Sequence, residues 1–192
     1  MLNWNLQNTL PNPINDEWDL LVKSCLGDGA HPNRIKGFIL SRLALQECLK
    51  TAGVHLKISE LLLVHHRELL ASAQFTISLS HTSQVGAALI DLKEKFISVG
   101  IDIEHEEREV KGDVLKRISH PEDLDLKKIE LWCLKEAAFK ALMNTGRFEK
   151  PVEFSSIHIQ EKNWLHVTSG IEGHWRLQSK ESMLVALTGV RS

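Results

Sequence analysis

Residues 99 to 106 read "VGIDIEHE", a β-branched run into which two acids are set two positions apart. Successive side chains of a strand point to opposite faces, so Val99, Ile101 and Ile103 share one face while Gly100, Asp102 and Glu104 share the other. The first face suits an apolar core. The second suits either a cation or plain solvent at a sheet edge. The choice depends on what the rest of the chain brings to that face.

The chain has 192 residues, 43% of them hydrophobic, enough for one domain or two small halves with an ordinary core. Its formal net charge is −2, so no global field recruits nucleic acid or an anionic membrane, and any anion site is local. Cys25, Cys48 and Cys133 are odd in number, widely spaced and set in apolar helical patterns, which reads as reduced core thiols of a cytosolic protein. The opening "MLNWNLQNTLPNP" has no basic stretch followed by an apolar run, and no segment reaches the roughly 18 apolar residues a membrane helix needs. A cytoplasmic location follows as the expectation. Ten histidines, the pair His65 and His66 among them, lack metal-motif spacing and read as scattered surface or boundary residues.

Ile35, Phe38, Ile39, Arg42, Leu45 and Leu49 recur at helical spacing and predict a helix over 34–50, with Gly53 beyond its end. Strands are predicted at 75–80, 84–92 and 96–104, a helix at 107–118, and a long helix at 123–143 with Gly146 past it. Four short strands follow, at 154–160, 164–169, 174–178 and 182–190. Helix and strands are thus followed by helix and strands again. This order, with a faint echo of "SQVGAALIDL" in "ESMLVALTGV", predicts an α+β chain of two related halves, 1–95 and 96–192, packed as one unit.

The long helix carries "WCLKEAAFK", residues 132–140. Trp132, Glu136 and Lys140 are four apart and share one face, with Lys135 beside them, while Leu131, Leu134, Ala138 and Leu142 point to a core. Glu136 and Lys140 alone would be a surface ion pair of a few tenths of a kcal/mol. Put beside the strand, they complete a set of three carboxylates, Asp102, Glu104 and Glu136, flanked by two lysines. Hard oxygen ligands in that number suit Mg²⁺, and cations beside them suit a phosphate-bearing substrate. In "SLSHTS", Ser80, His81 and Thr82 end a strand and offer donors to phosphate, or form a plain turn. A Ser-His hydrolase is disfavoured, because sequence neighbours seldom form a nucleophile–base pair and no G-x-S-x-G turn surrounds them.

These three stretches, "SLSHT", "VGIDIE" and "WCLKEAAFK", resemble in this order the 4′-phosphopantetheinyl transferases, specifically the longer surfactin-synthetase-activating type. The anchored resemblance covers residues 78–146. It implies transfer of the 4′-phosphopantetheine arm of coenzyme A to a serine of an apo acyl or peptidyl carrier protein, with release of adenosine 3′,5′-bisphosphate. It also implies a fold of two pseudo-symmetric α+β halves in one monomeric chain, sharing one coenzyme A site. By the same resemblance Asp102, Glu104 and Glu136 are the Mg²⁺ ligands, with Glu136 a candidate general base. Lys135 and Lys140 are phosphate-binding lysines, and Ser80 and His81 are coenzyme A contacts, His81 at the 3′-phosphate.

One departure stands out. Many members of the long branch have a Gly-Lys-Pro segment before the Ser-His strand, and "LLLVHHRELLASAQF" lacks it, leaving His65, His66 or Arg67 as substitutes. Arg34, Lys36 and Arg42 are the candidates for a further basic contact to coenzyme A, and helix phase alone does not choose among them. The alternatives are a non-catalytic coenzyme A or nucleotide-binding protein of the same fold, which would not need all three carboxylates, and a two-carboxylate hydrolase, which leaves the lysines without a role.

Overall fold

The computed structural model describes residues 2–64, 68–69, 74–92 and 95–191. His65, His66 and Arg67 lie outside the described residues. Two compact units divide the chain, Met1–Leu92 and Lys93–Ser192.

The first unit runs β1 (Asn3–Gln7), α1 (Asp16–Leu26), α2 (Pro32–Thr51), β2 (Leu63–Val64), β3 (Glu68–Leu69), β4 (Thr76–His81) and β5 (Gly86–Asp91). Its antiparallel sheet has the order β1-β5-β4, and β2 and β3 pair separately. Helix α2 lies where the apolar spacing predicted it, with His31 accepting from the Asn33 amide at its start and Gly53 at φ 79° beyond its end. Phe38, Ile39, Leu45 and Leu49 pack with Ile77 of β4 and Ile90 of β5. Gly86 admits the helix backbone: a Cβ there would strike the Leu40 carbonyl carbon and the Ser41 amide. Strand β1 and helix α1 were not expected. The start of α1 is nonetheless written in the sequence, since Asn15 caps the Trp18 amide at 3.2 Å and Asp16, Glu17 and Asp19 crowd its positive end.

The second unit runs β6 (Phe96–His105), α3 (Gly112–Ile118), α4 (Lys128–Asn144), β7 (Ile157–Ile159), β8 (Asn163–His166), β9 (Ile171–Lys180) and β10 (Met183–Arg191). The five strands form one antiparallel sheet in the order β6-β10-β9-β8-β7. Leu134, Ala138, Ala141 and Leu142 of α4 pack with Ile157, Ile159, Trp164 and Ala186 from the strands.

Three expectations are corrected. Helix α4 begins at Lys128 rather than 123, because the Asp123 carboxylate is taken by the His120 and Ile159 amides and Leu124 N–H by the Ile159 carbonyl, which holds that segment extended. Helix α3 begins at Gly112 rather than 107, because a turn after β6 bonds Arg108 N–H to His105 O and Glu106 N–H to Ser182 O. Cys48 and Cys133 are buried, but Cys25 is exposed near the end of α1.

Helix α4 lies close against β6 at Gly100. A Cβ at this position would strike the Ala137 carbonyl oxygen and the Ala141 amide, both rigid backbone. Gly100→Ala is therefore expected to cost about 1–3 kcal/mol as the helix is pushed off the sheet. A lower urea midpoint at unchanged slope checks it; an unchanged midpoint would mean that α4 is not seated on this strand.

Candidate active site

Four residues along a helix span about 6 Å and two residues along a strand about 6.6 Å. A helix stripe at spacing four laid antiparallel on a strand therefore stays nearly in step with every second residue. Helix α4 uses this match on β6. Trp132 Nε1 donates to Glu104 Oε1 at 2.7 Å, Lys140 Nζ lies 2.7 Å from Asp102 Oδ1 and 3.1 Å from Ile101 O, and Asn144 Nδ2 donates to Val99 O at 3.1 Å. Glu136 lies between Trp132 and Lys140 on the same stripe. The polar face of β6 thus meets the polar stripe of α4, and Asp102 and Glu104 are buried at 5% and 7% exposure.

Burial raises the Glu136 carboxyl to about 6 from the usual 4.5, and the negative charges of Asp102 and then Glu104 add to the rise, while Lys140 opposes it. Glu136 therefore feels the charges of both other acids. Their oxygens are not drawn together within 4.8 Å of one another, since Lys140 holds Asp102 while Trp132 and Arg108 hold Glu104. Arg108 was not foreseen. It bonds the Glu104 carboxylate from the turn after β6, and its guanidinium lies 5.6 Å from the Trp132 ring centroid. A lone base in "HEEREV", four residues beyond Glu104, was the available signal.

Lys135 does not join this group. It is fully buried, its ammonium 2.8 Å from Asp123 Oδ2 and bonded to the carbonyl oxygens of Phe154 and Ile157. A step of one residue turns a helical side chain by about 100°, so the neighbour of Glu136 enters the packed side instead. Burial lowers its pKa, and the hydrogen bond and charge of Asp123 oppose that.

In the first unit, His81 lines a cleft of about 460 Å³ together with Arg34, Phe38 and Arg42. These three α2 residues are four apart and form one face, and the cleft's α2 cations are Arg34 and Arg42; Lys36 lies outside it. The Arg42 guanidinium sits 3.7 Å from the Phe38 ring centroid, and burial lowers its pKa to about 10 from 12.5. An anion entering the cleft would restore the solvation this cation has lost. Ser80, buried on the strand face opposite Ile77, Leu79 and His81, points away from α2. Cys25 and Ser24 complete the wall near the arginines.

Two outcomes follow for the second unit. The folded chain holds the Glu136 proton to higher pH than the unfolded chain, so stability falls as pH rises from 4.5 through about 6 and the full cost stands above that range. In metal-free buffer Glu136→Gln is expected to raise stability by about 1 kcal/mol at pH 8, discounted for partial exposure, with the gain fading below pH ~5. Parallel urea titrations at the two pH values check this. Lys135→Met leaves Asp123 as an unpaired buried charge and is expected to cost about 3 kcal/mol, whereas a solvent-facing phosphate lysine would cost almost nothing. Equilibrium unfolding of that variant distinguishes the two.

No curated protein matches the chain. Residues 98–188, which hold most of β6, all of α3 and α4 and most of the remaining sheet, with Asp102, Glu104, Glu136 and Lys140 among them, match the family model of the 4′-phosphopantetheinyl transferase superfamily.

Proposed function

We propose that the chain is a Mg²⁺-dependent 4′-phosphopantetheinyl transferase of the long, two-half type, acting as a cytoplasmic monomer on coenzyme A and an apo acyl or peptidyl carrier protein. The observation that carries this reading is the α4 stripe on β6, three carboxylates and a lysine brought to one face within the segment that matches the superfamily. Among the described residues no helix is long and apolar enough to cross a membrane.

The donor set fits the cation. Asp102, Glu104 and Glu136 offer hard carboxylate oxygens, and the raised Glu136 pKa comes first from burial and then from the charges of Asp102 and Glu104, a repulsion that a divalent ion would relieve. These three residues would hold it. When bound, Mg²⁺ supplies charge neutralisation on the coenzyme A pyrophosphate. Lys140, at the same acids, provides a fixed cation for the transferring phosphoryl group. Glu136 accepts the proton of the carrier serine, a task suited to a carboxylate whose affinity for protons has been raised. The serine oxygen bonds to the phosphorus that bears the pantetheine arm as the bond to the leaving nucleotide phosphate breaks, which yields the phosphodiester and adenosine 3′,5′-bisphosphate. In the first unit, His81 with Arg34 and Arg42 provides cationic and donor groups for coenzyme A phosphates.

Mass spectrometry of candidate apo carriers incubated with the chain, coenzyme A and Mg²⁺ tests the reading through the gain of one phosphopantetheine arm. Asp102→Asn is expected to abolish the gain in a folded protein, and Lys140→Ala to lower kcat/KM on the order of 10²-fold, which corresponds to roughly 3 kcal/mol of transition-state stabilisation. Folded variants with near-normal turnover would reduce the α4 stripe to a packing contact between helix and strand with no part in the reaction.

A further inference from the structure

His120 and Glu122 lie in the turn that follows α3, and His158 lies in the middle of β7. The two imidazoles stack with centroids 4.8 Å apart and planes at 21°. One ligand atom from each of His120, Glu122 and His158 lies within 4.8 Å of the other two. We propose that this cluster binds a transition cation of the Zn²⁺ class.

The hydrogen bonds prepare the His158 ring for such a cation. His158 Nε2 is 2.5 Å from the carbonyl oxygen of Glu122, which can only accept, so Nε2 carries the proton and Nδ1 keeps its lone pair. A backbone carbonyl holding the far nitrogen is the usual way in which a metal-binding histidine is oriented. The Nδ1 lone pair lies 4.0 Å from Glu122 Oε2 and meets Gln160 Nε2 only at 3.5 Å, a contact a cation readily displaces. His120 Nδ1 spends its lone pair on the Glu122 amide at 3.2 Å, a long bond that a cation at this nitrogen would replace. The Glu122 side chain is 76% exposed and free to swing toward the rings.

The backbone beneath is fixed. Asp123 accepts from the amides of His120 at 2.7 Å and Ile159 at 2.8 Å and pairs with buried Lys135, so the turn and β7 are already clamped together. Two imidazoles and one carboxylate form the N₂O set of a three-ligand Zn²⁺ site with an open fourth position. The same set is poor for Mg²⁺, which prefers oxygen throughout. A cation here would add a bond between the α3–α4 connection and the sheet without drawing on Asp102, Glu104 or Glu136.

The test uses the full chain carrying Cys25→Ser, which removes the exposed thiol, stripped of metal and titrated with Zn²⁺ by calorimetry and with Co²⁺ by visible absorption. One equivalent is expected to bind, unchanged by excess Mg²⁺ and by Asp102→Asn. His120→Gln, His158→Gln and Glu122→Gln are each expected to weaken it about tenfold or more, with circular dichroism confirming the fold. Glu122 is exposed, so its variant tests the site even where a histidine variant perturbs packing. Absence of saturable Zn²⁺ binding by the folded parent overturns the proposal. So does binding that survives the Glu122 variant together with the folded histidine variants, or that is lost with Asp102→Asn instead.

Discussion

The second unit depends on a backbone-to-backbone approach that only glycine permits. At Gly100 the carbonyl of Ala137 and the amide of Ala141 occupy the space a Cβ would need, so α4 sits directly on β6. Ala137, Ala138 and Ala141 keep the helix slim on the packed side, and Thr188 of β10 donates to the Ala137 carbonyl at 3.1 Å. With the two axes this close, short acids on the strand and the helix residues Trp132, Lys140 and Asn144 reach one another directly. A wider gap would admit water, and the same residues would then be a solvated ion-pair face of little energetic weight.

The site that results is under electrostatic tension. Asp102 and Glu104 are buried and compensated, the first by Lys140 and the second by Trp132 and Arg108, while Glu136 bears the burial and like-charge cost. Such an arrangement loses some stability to hold charge in one place, a trade that is common at functional sites. The packed side of the helix is arranged differently. There the Lys135–Asp123 pair is enclosed and fully hydrogen-bonded, and it ties helix, turn and β7 into one body. Adjacent residues of one motif, Lys135 and Glu136, thus face opposite demands.

Much of this was legible in the chain. The period-two alternation of "VGIDIEHE" assigned the acids to one strand face, and the period-four stripe of "WCLKEAAFK" assigned Trp132, Glu136 and Lys140 to one helix face, because these regular elements have fixed side-chain directions. The helix over 34–50 and the strands that bracket Ser80 and Asp102 followed from the same periodicities. Local reading failed where a distant partner decides. Residues 123–127 look helical until Asp123 is claimed by amides from elsewhere, and Cys25 looks like a core thiol until α1 is seen to leave it exposed. That Arg34 and Arg42 line the cleft of the first unit, and Lys36 does not, is likewise visible only in the folded chain.

The sequence by itself determined which side chains share a face of a given element, since 3.6 residues per helical turn and two per strand repeat leave no freedom in that assignment. It determined the acids, the stripe and the resemblance they carry. Only the tertiary structure decided which faces meet. Laying α4 antiparallel on β6 set Lys140 against Asp102 and Trp132 against Glu104, and it sent Lys135 inward to Asp123. Strand pairing brought His158 against a turn that carries His120 and Glu122, residues separated along the chain by the whole of α4. Contacts of this kind are set by how elements pack, and no local periodicity encodes them.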